Sequence, residues 1–377
     1  MPDLVLRKIF SYFDYRTLCK MEGVCKRWMN MINGKFRCEI HEITIERLGS
    51  LWPSANQCVP FRRLSVHCPS NAHDFLAGVY RRSRLSVMRM TTDIIFLADI
   101  DQVNVSKDAS RRFFSNVEDL WLLMIHPDDE TTRKFLLIEE TLFSDLHQLT
   151  LQVHVNSKFN QNVSAIVKSF ILRYPNAIIN LELHAETSRE ILEQMSVLPS
   201  LPLHKIKLIC TDFDLPQMRL DQLYSVMKEK QLMAKNITLR DWSLFADGST
   251  ALSHNPLETF RISCCSIETV DNLVKSLQLT AAQALPSSAT PKKKKVVKKK
   301  KAIDDGDEPP KPKRKVVKKI VKKKTSSPFI KNLEIAGQCT LVGLTFLQQK
   351  AHTELERRLG TAIPDMAVDC SEIYYCW

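Results

Sequence analysis

The sequence predicts an α/β protein in which a short helical module precedes a body of repeated strand-and-helix units. Apolar residues recur at helical spacing near the amino terminus, and pairs of apolar residues separated by one residue recur along most of the rest of the chain. A Lys-rich tract interrupts these pairs. With 377 residues, 44% of them hydrophobic, the chain can bury a large core and exceeds the usual size of one compact domain. We expect a helical module at 1–37, a repeat body at 38–285, a disordered basic insertion at 286–327, and a final repeat with a carboxyl-terminal cap at 328–377.

The amino-terminal module is predicted to contain three short helices. Pro2 suits a first helical turn, where its missing N–H is not needed, and Asp3 suits the positive end of the helix dipole. Four apolar residues share one helical face at offsets of 0, 3, 4 and 7: Leu6, Ile9, Phe10 and Phe13. The apolar pattern pauses at Gly23 and resumes over 24–32. So small a module buries too little apolar surface to be stable alone, so we expect it to pack on a partner.

Two segments of this module resemble the F-box family. They are PDLVLRKIFSYF at 2–13 and VCKRW at 24–28, with a leucine between them. The resemblance implies a module that docks a Skp-type adaptor and, through it, the cullin scaffold of a ubiquitin ligase. Carried over position by position, it implies these adaptor-binding residues: Pro2, Leu4, Leu6, Ile9, Phe10, Leu18, Val24, Cys25 and Trp28. For each apolar residue the alternative is that it packs the three helices together.

The start of the chain departs from the family pattern. Members of the family usually have residues ahead of the proline, whereas only Met1 precedes Pro2 here. Met1 then stands where the family commonly has a leucine. A truncated start of this kind would weaken docking.

The repeat body is predicted from eleven pairs of apolar residues, each pair separated by one residue. We interpret them as parallel strands at Ile43/Ile45, Leu64/Val66, Leu85/Val87, Val103/Val105, Leu120/Leu122, Leu149/Leu151, Leu181/Leu183, Ile206/Leu208, Ile237/Leu239, Phe260/Ile262 and Leu333/Ile335. The last pair follows the basic tract, which indicates an insertion within a repeat array. Segment 38–115 is the least regular, because its pairs lie too close together to leave room for full helices.

An array of units that each contain one strand and one helix resembles a leucine-rich-repeat solenoid. An amphipathic stretch at 163–171, apolar at offsets of 0, 3, 4, 7 and 8, suits an outer helix. The resemblance is loose, because few units have the asparagine that such repeats place after the strand and the periods are uneven. Generic α/β packing is the alternative.

In a solenoid, the residue between the two buried residues of a strand faces the binding surface. This rule assigns substrate-binding roles to residues between the pairs and just beyond one strand: Trp121, Glu182, Lys207, Thr238, Arg261, Arg240 and Trp242. The two tryptophans are candidate interaction hot spots. Core packing is an equally good interpretation of each.

The net charge of +12 is concentrated in one tract. Residues 292–324 contain 16 Lys and one Arg against four acidic residues, a local charge of +13, so the remaining chain sums to −1. The composition predicts disorder. Within the tract, Lys311, Lys313, Arg314 and Lys315 resemble a short nuclear-import signal that an importin-type receptor would bind. A solvated linker that binds polyanions loosely and unspecific nucleic-acid binding are the alternatives, and the lack of aromatic residues there disfavours the latter.

Motifs of catalysis and of metal binding are missing from the sequence. It has no Walker sequence, no G-x-G-x-x-G, no H-E-x-x-H, no G-x-S-x-G and no C-x-x-C pair, so we expect no intrinsic catalysis, no cofactor and no metal site. No signal-peptide pattern and no run of eighteen apolar residues occur. We therefore expect a protein of the nucleus, the cytoplasm or both, neither secreted nor in a membrane.

Together these features predict a substrate-recognition subunit of an SCF-type (Skp-cullin-F-box) ubiquitin ligase. The helical module would dock the adaptor, and the repeat body would hold a protein substrate of unknown identity. The first alternative is a nuclear repeat scaffold that binds polyanions or proteins without ligase activity. The second is a repeat protein that binds a small ligand.

Overall fold

The computed structural model describes most of the chain in separate stretches. They are residues 2–13, 15–32, 42–46, 63–67, 88–98, 114–138, 142–200, 202–211, 216–282, 329–338, 340–341, 351–362 and 366–374. The predicted strands at Leu85/Val87 and Val103/Val105 lie outside these residues, as do the basic tract and its candidate import signal at Lys311, Lys313, Arg314 and Lys315.

The amino-terminal module contains three helices, as the spacing of its apolar residues predicts. They are α1 (Asp3–Phe10), α2 (Tyr15–Met21) and α3 (Lys26–Met31). A small core of its own lies between them and consists of Leu6, Phe10, Leu18, Met31 and Ile32, with Phe13, Met21 and Trp28 packed against it. This core is separate from the main core of the protein.

Fifteen strands are described in the remaining chain. In chain order they are β1 (Glu42–Glu46), β2 (Arg63–His67), β3 (Arg89–Asp93), β4 (Asp119–Ile125), β5 (Gln148–His154), β6 (Ile178–Ala185), β7 (Pro202–Cys210), β8 (Gln217–Arg219), β9 (Met233–Arg240), β10 (Ser243–Phe245), β11 (Leu257–Ser263), β12 (Ser266–Ile267), β13 (Ile330–Gln338), β14 (Thr340–Leu341) and β15 (Ala367–Tyr374). Every described pairing between them is parallel. The chain is therefore a mixed α/β protein built on parallel sheets.

The larger sheet has eleven strands in the order β15-β13-β11-β9-β7-β6-β5-β4-β3-β1-β2. From β3 to β15 the order in space follows the order in the chain. At the other end β1 lies between β2 and β3, so this simple succession does not extend there. β13 pairs with β11, so the chain after the basic tract continues the same sheet.

The apolar pairs lie in register across the sheet. Ile206, Ile237, Phe260 and Leu333 are successive partners in one inward-facing row. The predicted pairs on β4 and β5 begin two residues earlier than the residues that lie opposite Leu181/Leu183 of β6. Those opposite residues are Leu151/Val153 on β5 and, one strand further, Leu122/Met124 on β4. Because side chains alternate with a period of two, this displacement leaves the predicted inward face unchanged.

A second sheet contains four very short strands in the order β14-β12-β10-β8. Each of them follows a long strand of the larger sheet, so the chain turns from the larger sheet into the second one after β7, β9, β11 and β13. Sequence patterns did not predict these strands, and they did not predict β3 or β15 either.

Helices cover the inward side of the larger sheet. They are α4 (Ile94–Ala98), α5 (Asp129–Leu137), α6 (Asn160–Arg173), α7 (Ser188–Val197), α8 (Leu220–Glu229), α9 (Val270–Ala282) and α10 (Ala351–Ala362). The amphipathic stretch predicted at 163–171 lies in α6, which buries Val163, Ile166, Val167 and Phe170. These side chains join the inward strand residues in one continuous core. The opposite side of the sheet faces away from these helices.

Candidate functional site: the helical module and the open sheet face

The helical module exposes apolar side chains opposite its core. Leu4 is 79% exposed, and large apolar side chains are also exposed at Val5, Ile9, Tyr12, Val24 and Met29. Three of these six lie on α1 and Tyr12 follows just after it; by helical spacing Leu4 and Val5 point away from the buried Leu6 and Phe10, while Ile9 lies at the edge of the buried face. Exposed apolar surface concentrated in this way is typical of a protein contact. We call the side chains of Leu4, Val5, Ile9, Tyr12 and Val24 the exposed apolar surface of the module.

The nine residues implied to bind an adaptor fall into two groups. Leu6, Phe10 and Leu18 are buried in the core of the module, so their alternative role of packing the helices is the one the structure supports. Pro2, Leu4, Ile9, Val24 and Cys25 are exposed. Trp28 belongs to both groups: it is partly exposed, and its ring meets the Phe10 ring edge-on at 5.1 Å between centroids.

An ion pair between the first and third helices was not predicted. The Arg27 Nε donates to Asp3 Oδ1 at 2.9 Å, and both side chains are more than half exposed. An exposed pair of this kind contributes about 0–1 kcal/mol, so its main effect is on the relative position of α1 and α3.

The second candidate site is the side of the larger sheet that faces away from the helices, which we call the open face. Its side chains from β4 to β13 form three rows across the strands. The first row is Trp121, Thr150, Asn180, Lys205, Asn236, Thr259 and Asn332. The second row is Leu123, Gln152, Glu182, Lys207, Thr238, Arg261 and Glu334. The third row is Ile125, His154, His184, Ile209, Arg240, Ser263 and Ala336.

Six of the seven predicted substrate-binding residues lie on the open face: Trp121, Glu182, Lys207, Thr238, Arg240 and Arg261. The structure corrects the expected exposure of two of them. Glu182 is only 7% exposed and Thr238 only 8%.

The placement of Trp242 on this face was wrong. Its side chain is 0% exposed, and its Nε1 donates to the main-chain oxygen of Leu208 at 3.0 Å. The cause is the preceding residue: Asp241 has a φ of 63°, in the left-handed region, which ends the alternation of the strand. The indole therefore turns into the core.

Charged side chains pair across neighbouring strands of the open face. Lys207 Nζ lies 3.2 Å from Glu182 Oε2, and Arg261 lies 3.5 Å from Glu334 Oε2. Burial raises the pKa of the Glu182 carboxyl, but its interactions with His184 and the neighbouring lysines outweigh burial and lower the pKa below its ordinary value. Glu182 is therefore a carboxylate at neutral pH.

Two histidines stack on adjacent strands of the same face. The rings of His154 and His184 lie 5.1 Å apart between centroids with 21° between their planes, and His184 Nε2 lies 4.0 Å from Glu182 Oε2. Burial, and then the nearby His184 and His126, lower the pKa of His154 from 6.5 to about 4. His154 is therefore neutral at physiological pH. The sequence could not reveal the pair, because only the register of β5 with β6 brings the rings together.

Within the described part of the chain, no three His, Cys, Asp or Glu residues are grouped so as to hold a metal ion. The helices of that part include none with the length and hydropathy that crossing a membrane would require.

Comparison with known proteins identifies the module. Residues 1–36 match the family model described as F-box-like. The whole chain is 74% identical over 382 residues to an uncharacterized F-box protein, ZK328.6, of Caenorhabditis elegans, and the match covers 97% of that protein. No solved structure matches the chain. The full-length similarity and the match at the module show that the chain belongs to the F-box protein family.

Proposed function

We propose that the protein is the substrate-recognition subunit of an SCF-type ubiquitin ligase. F-box domains in general bind Skp-type adaptors. The observation that carries the proposal to this chain is the exposed apolar surface of the module, which is separate from the core formed by Leu6, Phe10 and Leu18. An adaptor that covered this surface would connect the chain to a cullin. It would also supply the apolar contact that a module of this size requires.

In this proposal the body is a leucine-rich-repeat-like solenoid that holds the substrate on its open face. Three features support the assignment: the succession of parallel strands from β3 to β15, one long strand per unit, and the short second sheet. Further support comes from the position three residues after the second buried residue of a strand. At this position, the Trp242 indole donates to the main-chain oxygen of Leu208, and the Cys265 Sγ lies 3.5 Å from the main-chain oxygen of Leu239. Each of these oxygens belongs to the neighbouring strand of the larger sheet. In leucine-rich repeats an Asn or Cys stands at this position.

The protein would act by positioning rather than by chemistry of its own. A substrate held beside a charged ubiquitin-conjugating enzyme meets it at a high effective concentration, which accelerates transfer without a local catalytic group. The catalytic groups would belong to other subunits, and the chain would need no cofactor.

The proposal is tested by measuring binding of the full chain to a purified Skp-type adaptor, alone and with cullin. Leu4→Asp places a charge on the exposed apolar surface and leaves the core of the module intact. We expect it to weaken adaptor binding at least tenfold. Leu172→Asp is the matched control, because Leu172 is 72% exposed on α6, outside the module. We expect the control to bind like the parent protein.

Two outcomes would contradict the adaptor-docking role: a parent chain that does not bind the adaptor, or a Leu4→Asp variant that binds as well as the control. Circular dichroism of both variants checks that the charge has not unfolded the protein.

The alternative function, a nuclear repeat scaffold, is favoured by the charge of +13 in residues 292–324. In this alternative Lys311, Lys313, Arg314 and Lys315 would bind an importin-type receptor, and nuclear position would not depend on the adaptor. Replacing these four residues with Ala in a fluorescent fusion should move the protein from nucleus to cytoplasm. A ligase subunit with the same import signal would in addition bind adaptor and cullin, so the adaptor measurement separates the two functions.

A further inference from the structure

The open face changes in chemical character along the sheet. In the three rows its β4 side chains are apolar, Trp121, Leu123 and Ile125, whereas Asp119, at the start of β4 on the same face, pairs with Arg89 on β3. Three steps along the sheet, β7, β9 and β11 carry four basic side chains: Lys205, Lys207, Arg240 and Arg261. We call the first group the apolar end and the second the cationic centre. The two groups are separated by β5 and β6.

Acidic residues flank the cationic centre and do not lie among its side chains on the face. Glu182 precedes it on β6, and Glu334 follows it on β13. Asp241, which pairs with Arg240 at 3.1 Å, lies just beyond the end of β9. In the second row the residue between Lys207 and Arg261 is the uncharged Thr238.

The cations of this centre are paired but keep exposed surface. Glu182 is only 7% exposed; half of the Arg240 side chain and about two-fifths of the Arg261 side chain are exposed, against 30% for Asp241 and 35% for Glu334. A ligand that crosses the strands therefore meets cations with exposed donors at the centre of the face. Arginine donates to carboxylates through a planar fork, so carboxylates are the natural ligand groups there.

At the apolar end a ligand meets a partly exposed indole. Trp121 is held by the hydrogen bond from its Nε1 to Gln152 Oε1 at 3.0 Å, which fixes the ring without covering it fully. An aromatic side chain held in this way suits a large apolar side chain of a partner. Ile125, partly exposed at the end of the same strand, extends the apolar surface, and Leu123 between the two is only 6% exposed.

We infer that the open face binds an extended acidic peptide segment that carries one large apolar residue about four to seven positions from its acidic residues. This inference rests on the proposed function, in which the same face holds a substrate, and it names the class of substrate. The apolar residue would contact Trp121, and the carboxylates would contact Lys207, Arg240 and Arg261.

The spacing follows from the sheet. Three strand steps separate β4 from β7 and five separate β4 from β11. At about 4.8 Å per step these are roughly 14 Å and 24 Å, and an extended peptide covers about 3.4 Å per residue. The acidic residues therefore lie about four to seven positions from the apolar one.

A nucleic acid fits this face less well. A continuous phosphate backbone would pass Glu334 after the cationic centre, and the three rows hold one large aromatic side chain, Trp121, while the rings of His154 and His184 already stack on each other. Single-strand binders instead alternate basic groups with several stacking aromatics.

Fluorescence anisotropy with the full chain tests the inference. The probe is a labelled Ser/Gly-based peptide with one Leu and two Asp, at positions four and seven from the Leu; it is made with the Asp residues after the Leu and with them before it, and the tighter binder of the two is used. We expect it to bind at least tenfold more tightly than three comparison peptides: one with both Asp next to the Leu, one with Lys in place of Asp, and one with Ala in place of Leu.

Protein variants assign the contacts. Arg240→Gln and Arg261→Gln should each weaken binding of the probe about threefold to tenfold and reduce its dependence on salt between 50 and 200 mM. Trp121→Ala should weaken it by a similar factor and leave the salt dependence unchanged. The matched control is Arg189→Gln, because Arg189 is a highly exposed arginine on helix α7, outside the open face. This control should bind the probe like the parent protein.

The inference is overturned if the four peptides bind equally or if the open-face variants behave like the control. It is also overturned if only a phosphoserine version of the probe binds, or if a single-stranded oligonucleotide binds more tightly than the probe. Adaptor binding measured on the same samples separates this failure from failure of the adaptor-docking role, because the open-face variants retain the module.

Discussion

The indole of Trp242 is hydrogen-bonded to the main-chain oxygen of Leu208, 3.0 Å away on the preceding strand of the sheet. β9 and β7 are also joined by their own strand ladder, so this bond is an additional, side-chain link between two units. One unit later the Cys265 Sγ lies 3.5 Å from Leu239 O, and a bond from the thiol would link the units in the same way. Both side chains follow a residue with positive φ, Asp241 or Cys264.

Trp242→Phe should destabilise the protein, because it removes the indole N–H and leaves the Leu208 carbonyl buried without that donor. We expect a loss of about 1–3 kcal/mol, in addition to any loss of packing. Chemical denaturation measures the change. Trp121→Phe is the control, because that indole is partly exposed and its loss should cost less than about 1 kcal/mol. Equal losses for the two variants would contradict the role of the buried hydrogen bond.

Phe10→Ala should unfold the amino-terminal module while the sheet remains folded. The Phe10 side chain is 1% exposed in the small core, where its removal costs about 3–5 kcal/mol. The module has little stability to lose. Hydrogen exchange of residues 2–32 should accelerate strongly, with no change in β5 to β9. Leu4→Ala, which removes an exposed side chain, should leave exchange in the module unchanged. Loss of protection in the sheet as well would show that the two cores unfold together.

Lys207→Met should lower stability at neutral pH and make it depend less on acid. The folded pKa of Glu182 lies below its ordinary value of 4.5, so this carboxylate contributes stability at neutral pH that is lost as pH falls through the folded pKa. Without the Lys207 ammonium the folded pKa of Glu182 rises towards the ordinary value, so the variant has less of this stability to lose on acidification.

A double-mutant cycle with Glu182→Gln, measured by chemical denaturation at pH 7, should give a coupling of about 1 kcal/mol, because the pair is only partly buried. The same cycle at pH 3 should give a smaller coupling. Additive effects at pH 7 would mean that the 3.2 Å contact contributes no net stability.

His154→Gln should reduce the loss of stability on mild acidification. The folded pKa of His154 is about 4, against 6.5 ordinarily, so the unfolded state takes up a proton in this interval before the folded state does. Stability should therefore fall between pH 6.5 and pH 4. Allowing for solvent screening of this partly exposed ring, the contribution of His154 is about 1–2 kcal/mol.

Thermal unfolding at pH 7, 5.5 and 4.5 measures the effect of this substitution. His147→Gln, which alters an exposed histidine next to β5, should follow the parent protein. If the stability of the His154→Gln variant falls on acidification as much as that of the parent protein, the acid sensitivity is due to other groups.

The features that the sequence predicted are those with a local periodic signal. The helical offsets in the module and in 163–171 predicted α1, α3 and α6, and the apolar pairs predicted the inward faces of the long strands. β12 and β14 contain two residues each, too few to show a period of two. β3 has the sequence RMTTD, in which a polar residue, Thr92, takes an inward position.

The candidate sites were predictable only in part. The sequence shows directly which residues lie between the paired apolar positions. This pattern placed Trp121 and Lys207 on the open face. The left-handed backbone at Asp241 and the stacking of His154 on His184 depend on tertiary structure and register, which no local pattern contains. The division of the module into buried and exposed apolar residues likewise required three packed helices.

The linear succession of strands from β3 to β15 has a consequence for how the molecule opens. Each strand is hydrogen-bonded only to its immediate neighbours, so unfolding can start at one end and pass along the sheet unit by unit. Strands such as β6 and β7, with several units on either side, should be the last to exchange their amide protons. The cationic centre begins on β7, in this interior part of the sheet, so a partner's contact with Lys207 would form where the sheet unfolds least often.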